Sequence, residues 1–233
     1  MKKNPVVLAV FLTYIIFTFS SYAYAAMSDR EFLHLCTTSG TAQEVERAIK
    51  DGANVHARSS DGFTALMAAA LSNPRADVIS VLLQNGLDVN HQSEKGQTAL
   101  IAAVTYNLNP EVAYVLLNNG ADVNIKDESG WTALLAAAWR NPYPEIISEL
   151  LRYGADANAT IGKIRAIDYA RVNTSLRNTQ AYQELKKATN FFYLYRDRMI
   201  TLGVGLGGIT LFLCAKKMES LKRKKQGAFD EGL

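Results

Sequence analysis

A 34-residue repeat constrains this chain more than any other feature. The segments GFTALMAAA (62–70), GQTALIAAV (96–104) and GWTALLAAA (130–138) recur at that step. A second set keeps the same phase: GANVH from Gly52, GLDVN from Gly86, GADVN from Gly120 and GADAN from Gly154. Between them lie DVISVLLQN, EVAYVLLNN and EIISELLRY. Such a unit is too thin to bury its own apolar face, so neighbouring units must stack to complete a core.

Each unit decodes as turn, helix, short loop, helix. Thr64, Thr98 and Thr132 precede the apolar stretch and are placed to cap the first helix. The alanine-rich run that follows is a strong helix former whose small side chains permit close helix approach. Asn-Pro at 73–74, 109–110 and 141–142 marks the inter-helix loop, because proline is costly inside a helix. The second helix carries Val78, Ile79, Leu82 and Leu83, repeated as Val112, Ala113, Leu116, Leu117 and as Ile146, Ile147, Leu150, Leu151, one stripe on a 3.6-residue period. Gly86, Gly120 and Gly154 then end that helix where a left-handed backbone is cheap.

These segments resemble ankyrin repeats. The family pattern G-x-T-P-L-H-x-A-A, V-V-x-x-L-L, G-A-D-V-N appears in order, with Ala65, Ala99 and Ala133 in place of proline and Met67, Ile101 and Leu135 in place of histidine. The period is 34 instead of the family's 33. The resemblance implies an all-α solenoid of about five helix-turn-helix units over residues 26–190. Glu31 to Cys36 aligns with the first-helix motif, which sets His34 at the family's structural histidine and Cys36 at a small core position. Arg165 to Ala170 continues the phase after a shortened tip at 159–162, and 181–188 supplies the last helix.

The two ends of the chain are different in kind. Residues 1–25 read as a signal peptide: Lys2 and Lys3, an apolar run from Pro5 to Phe19, then Ala23-Tyr24-Ala25, a small-residue site that favours cleavage before Ala26 over an uncleaved N-terminal anchor. After a juxtamembrane segment at 191–198, residues 199–215 form an uncharged apolar run at the lower length limit for a transmembrane helix. Arg196 and Arg198 precede it; Lys216, Lys217, Lys222, Arg223, Lys224 and Lys225 follow it in a basic tail at 216–233. The charge asymmetry puts the C-terminus in the cytoplasm and the repeats outside. The +3 formal charge is therefore mostly a topology signal. Residues 26–198 carry 17 Lys/Arg against 19 Asp/Glu, which argues against nucleic acid as a partner.

No catalytic set, cofactor motif or metal-ligand spacing emerges from three histidines and two cysteines. Gly203-Val-Gly205-Leu-Gly207-Gly208 fits a dinucleotide fingerprint only in its letters, since no βαβ unit surrounds it; Gly203 and Gly207 instead form a small-xxx-small face suited to helix packing. Asp88, Asp122 and Asp156 hold equivalent turn positions, where a carboxylate hydrogen-bonds the backbone. Asn173-Thr-Ser175 fits an N-glycosylation pattern. The resemblance implies binding of a protein, still unidentified, through hairpin tips and the first-helix face. The tip candidates are Arg58, Gln92 and Lys126; Phe63, Gln97 and Trp131 are the exposed candidates in the slot after each tip glycine. Trp131 is the leading anchor, with packing against the neighbouring repeat as its competing role. Tyr106, Trp139, Arg140 and Tyr143 make a second aromatic zone near the inter-helix loops or a membrane-facing one.

The expectation is a non-enzymatic protein-binding scaffold, displayed on the periplasmic or extracytoplasmic side of a cell membrane by a single-pass C-terminal helix. Lipid is contacted by that helix and the basic tail. Two alternatives are an inhibitor or protector of a periplasmic enzyme or toxin, and an assembly component that forms homo-oligomers through Gly203 and Gly207.

Overall fold

The computed structural model describes residues 27–38 and 40–189. The expected signal peptide, the apolar run 199–215 with Gly203 and Gly207, and the basic tail lie outside the described residues. Among the described residues, no helix is long and apolar enough to cross a membrane. Residues 27–185 belong to one compact unit; the described residues from Lys186 on belong to a second and only continue a helix.

The helices come in successive pairs: α1 (Asp29–Thr37) with α2 (Ala42–Lys50), α3 (Ala65–Ser72) with α4 (Ala76–Gln84), α5 (Ala99–Tyr106) with α6 (Pro110–Asn118), and α7 (Ala133–Arg140) with α8 (Pro144–Arg152). After them, α9 (Ala166–Val172) pairs with α10, helical over 180–189. The first helices of the pairs stack in one row and α2, α4, α6 and α8 in a second, as the repeat requires. Thr64, Thr98 and Thr132 each accept a hydrogen bond from the third backbone N–H of the helix they open. The six residues that follow are buried in each of α3, α5 and α7. The second row buries its stripe through Val78, Ile79 and Leu82, through Val112, Ala113, Leu116 and Leu117, and through Ile146, Ile147 and Leu150. Leu83 and Leu151 sit at its half-buried margin. Gly86, Gly120 and Gly154 adopt φ of 86°, 84° and 88°, the left-handed conformation expected of them.

The entry repeat is held by capping boxes. Ser28 caps α1 while Glu31 bonds back to it, and Thr41 and Glu44 do the same for α2. These hydrogen bonds, from Ser28 and Thr41 respectively, hold both carboxylates below the usual glutamate range. The contribution of each box is therefore present above that range and is lost as pH falls through the lowered values.

One buried hydrogen-bond ladder ties successive repeats together. The Asn73 amide donates to the carbonyls of Cys36 (3.0 Å) and Gly40 (3.1 Å). Asn107 donates to Ala70 (3.1 Å) and Asn73 (2.8 Å), and Asn141 to Val104 (2.7 Å). Asn173 closes the series on Ala138 (3.3 Å) and Asn141 (3.1 Å). Each Oδ1 accepts from the backbone N–H two residues on, at Arg75, Asn109, Tyr143 and Ser175. The Asn109-Pro110 pair, expected to mark the loop like its counterparts, has another job: Asn109 caps α6 and Pro110 is its first residue. The in-phase asparagine is Asn107.

The ladder also corrects the register of the first repeat. Asn73 reaches Cys36 where Asn107 reaches Ala70, so Cys36 corresponds to Ala70 and Phe32 to Leu66, both fully or almost fully buried. His34 therefore falls one place past the family's histidine position and is exposed. The all-α expectation needs one small amendment. The shortened tip is an antiparallel hairpin of β1 (Thr160–Ile161) and β2 (Ile164–Arg165), turned by Gly162 at φ 59°.

Asn107→Ala leaves buried carbonyls without their donor and should lower unfolding free energy by about 3 kcal/mol. Asn109→Ala, which removes a helix cap and one solvent-exposed bond to Pro74 O, should cost about 1 kcal/mol. Chemical denaturation distinguishes them, and equal losses would argue against the ladder. Burial pushes the Cys36 thiol up to about 12, so in a Cys214→Ser chain its alkylation at neutral pH should occur only as fast as the first repeat opens.

Candidate protein-binding groove

The turn chemistry that opens each repeat also fixes the candidate site. The Asp127 carboxylate accepts hydrogen bonds from the backbone N–H groups of Ser129 and Trp131, both at 2.9 Å. Asp88, Asp122 and Asp156 likewise accept from the N–H two residues on, each at 2.9 Å, as their equivalent positions imply. Adjacent tips are stitched by backbone: Glu94 N–H donates to Asp61 O at 3.1 Å and Glu128 N–H to Lys95 O at 3.0 Å. Gly96 permits this approach. At φ +71°, a Cβ there would lie 3.0 Å from Asp127 Cα and Glu128 N.

With its backbone fixed, Trp131 lays its ring against Trp139, two helical turns along α7, at a centroid distance of 5.1 Å. Tyr169 of α9 lies 5.3 Å away from the same ring. Trp131 is therefore half-buried, not exposed as expected, because an aromatic of the next repeat packs against it. Phe63 and Gln97 are half-buried as well. Trp139 remains 44% exposed, with the Arg140 guanidinium 5.0 Å from its ring centroid.

Between α5 and α7 these residues bound a groove of about 320 Å³. Ile101 and Ala136 are among its apolar lining, Trp131 and Trp139 supply aromatic surface, and Tyr106 also lines it. Lys95 and Glu128 bring opposite charges from the tips, and Gln97 contributes an amide that makes no hydrogen bond within the described residues. An apolar groove with a few polar groups suits a side chain or short segment of another protein.

The structure thus brings together Gln97 and Trp131 with Tyr106 and Trp139, residues that the sequence divides between two zones. Arg58, Phe63, Gln92 and Lys126 lie outside the groove lining. Arg58 and Lys126 are exposed, Arg58 beside a backbone bridge to Thr64. The Gln92 amide is occupied structurally, donating to Gly96 O (2.9 Å) and Lys126 O (3.2 Å). Tyr143 belongs to the loops, where its hydroxyl donates to Leu108 O at 2.6 Å. Asn173 fits the glycosylation pattern, yet its amide is committed to the ladder. Among the described residues, no group of three or more His, Cys, Asp or Glu side chains is arranged to hold a metal ion.

A family model described as ankyrin repeats (3 copies) matches residues 16–93 and 77–161, together more than half of the chain. A search of curated proteins returns no match. With the stacked helix pairs, the turn glycines and the threonine caps all in phase, the chain belongs to the ankyrin-repeat family.

Proposed function

We propose that this chain is a non-enzymatic scaffold on the outer side of a membrane, holding a segment of a partner protein in the groove between α5 and α7. Ankyrin repeats generally mediate protein–protein interaction. The observation that carries the reading is the convergence of Tyr106, Trp131, Trp139 and Gln97 on one groove. Aromatic anchors there offer large contact area with little entropy to lose. The membrane part of the reading is supported by the uncharged run 199–215 and its unequal basic flanks, and by the apolar segment after Lys2 and Lys3.

The two tryptophans should separate stability from binding. Trp139→Ala should weaken partner capture by about 30-fold, the loss of a strong interface anchor, with little change in stability. Trp131→Ala should also cost about 2 kcal/mol of stability, because its ring fills space between Trp139 and Tyr169. A photo-crosslinking residue at Gln97 in the native envelope should yield a partner adduct that one at Arg58 does not. Unchanged capture by Trp139→Ala, or an adduct from Arg58 alone, would move the site elsewhere. For the topology, a reporter active only outside the cytoplasm, fused after Leu233, should stay silent.

A further inference from the structure

The loops that join the first, or inner, helix of each pair to the second, or outer, helix share a chemistry that the groove does not explain. Among the described residues, the large apolar side chains exposed by half or more all lie there: Tyr106 at 52%, Leu108 at 75% and Val172 at 71%. Trp139, at 44%, lies between them in the same row; Ile164, at 45%, is on the tip hairpin instead. The ladder fixes these loops side by side, since each asparagine amide bonds the loop or helix end before it, and the Tyr143 hydroxyl and the Asn109 amide (to Pro74 O, 2.7 Å) add further links. The resulting edge is continuous and held in register.

The loop residues themselves carry only basic charge, with acids close by: Arg171 pairs with Asp168 at 3.4 Å, and Arg75 lies near enough to Glu44 to help hold its carboxyl down. Residues 71–75, 105–109, 139–143 and 171–179 contain Arg75, Arg140, Arg171 and Arg177, all exposed, and no Asp or Glu. Further acidic residues stand in the first turns of the outer helices, at Glu44, Asp77, Glu111 and Glu145. A favourable helix-dipole contact accounts for Arg140 and Arg171 in last turns. Neighbouring acids account for Arg75 and add to Arg171, which leaves Arg177 and the exposed Leu108 and Val172.

We propose that this loop edge rests on an anionic lipid surface. Arginine with tryptophan, tyrosine and isolated aliphatic side chains is the composition that sits at headgroup depth, where guanidinium meets phosphate and the apolar part enters the acyl boundary. Basic charge complements anionic headgroups, worth a useful increment for each residue near the surface. The inference rests on the membrane-tether reading above: only residues 190–198 separate the described helix from the apolar run, which at full extension is about 30 Å of chain. A partner held in the groove would then meet the chain beside the bilayer, because Tyr106 and Trp139 belong to both surfaces.

The test uses the full chain reconstituted into vesicles of phosphatidylcholine, with or without phosphatidylglycerol, whose acyl chains are brominated or not. The chain has two tryptophans, so its fluorescence reports this region. Brominated anionic vesicles should quench it, brominated zwitterionic ones should not, and Leu108→Glu with Val172→Glu should abolish the quenching while the helical spectrum is kept. Equal fluorescence in brominated and unbrominated anionic vesicles, from a chain that resists carbonate extraction, overturns the edge proposal and leaves the tether standing. Anionic quenching from a chain that carbonate extracts supports the edge and refutes the tether. Binding of poly-glutamate without lipid quenching assigns the edge to an acidic polypeptide and overturns the proposal.

Discussion

The asparagine amide that ends each of α3, α5, α7 and α9 is the interaction on which the rest of this architecture depends. A repeat of two short helices cannot hold its neighbours by apolar contact alone with a fixed register. Alanine-rich faces are flat and would tolerate sliding. A buried amide that donates to carbonyls of the preceding loop and accepts from its own loop leaves little such freedom, because any shift strands polar groups away from water. The ladder, repeated at Asn73, Asn107, Asn141 and Asn173, fixes the spacing of the inner helices. That spacing in turn sets the width of the groove between α5 and α7.

Much of this was legible in the sequence because the repeat phase is a physical signal. Thr64, Thr98 and Thr132, the helix-ending glycines, and Asp88, Asp122 and Asp156 each recur where a short backbone hydrogen bond or a left-handed residue is needed, and the structure uses them so. The ladder is hidden by the Asn-Pro pairs, which recur at both ladder and capping positions. Pro74 and Pro142 follow ladder asparagines, whereas Pro110 follows a capping one; the 34-residue step from Asn73 to Asn107 to Asn141 is the signal that tells the two apart. The position of His34 is obscured for a related reason. The first repeat lacks the repeating motif, so a letter match to histidine outweighed the burial pattern of Phe32 and Cys36.

The candidate site was legible only in part. Trp131 stands out as an aromatic in a variable slot, but sequence spacing does not say that Tyr169, from the next repeat, will cover one side of it. Gln92 looked available at a tip, and its amide instead bridges two tips. The groove combines residues from a tip, a helix and the end of a neighbouring helix, which share a surface only after stacking. Fold and binding site are thus read by different means. The repeated positions specify the frame, and the residues that break the repeat, Trp131, Trp139 and Tyr106, differentiate one stretch of it.

The central claim is that one side chain couples adjacent repeats, including the two that form the groove. Native-state hydrogen exchange on an Asn141→Ala chain addresses it most directly. Asn141 bonds Val104 O across the repeat boundary and Tyr143 N within its own loop. The account predicts that amides of α5 and α7 lose protection together, with those of α1 and α2 little changed. Loss confined to α7 and α8 would contradict it, because the asparagine would then serve only the loop in which it sits.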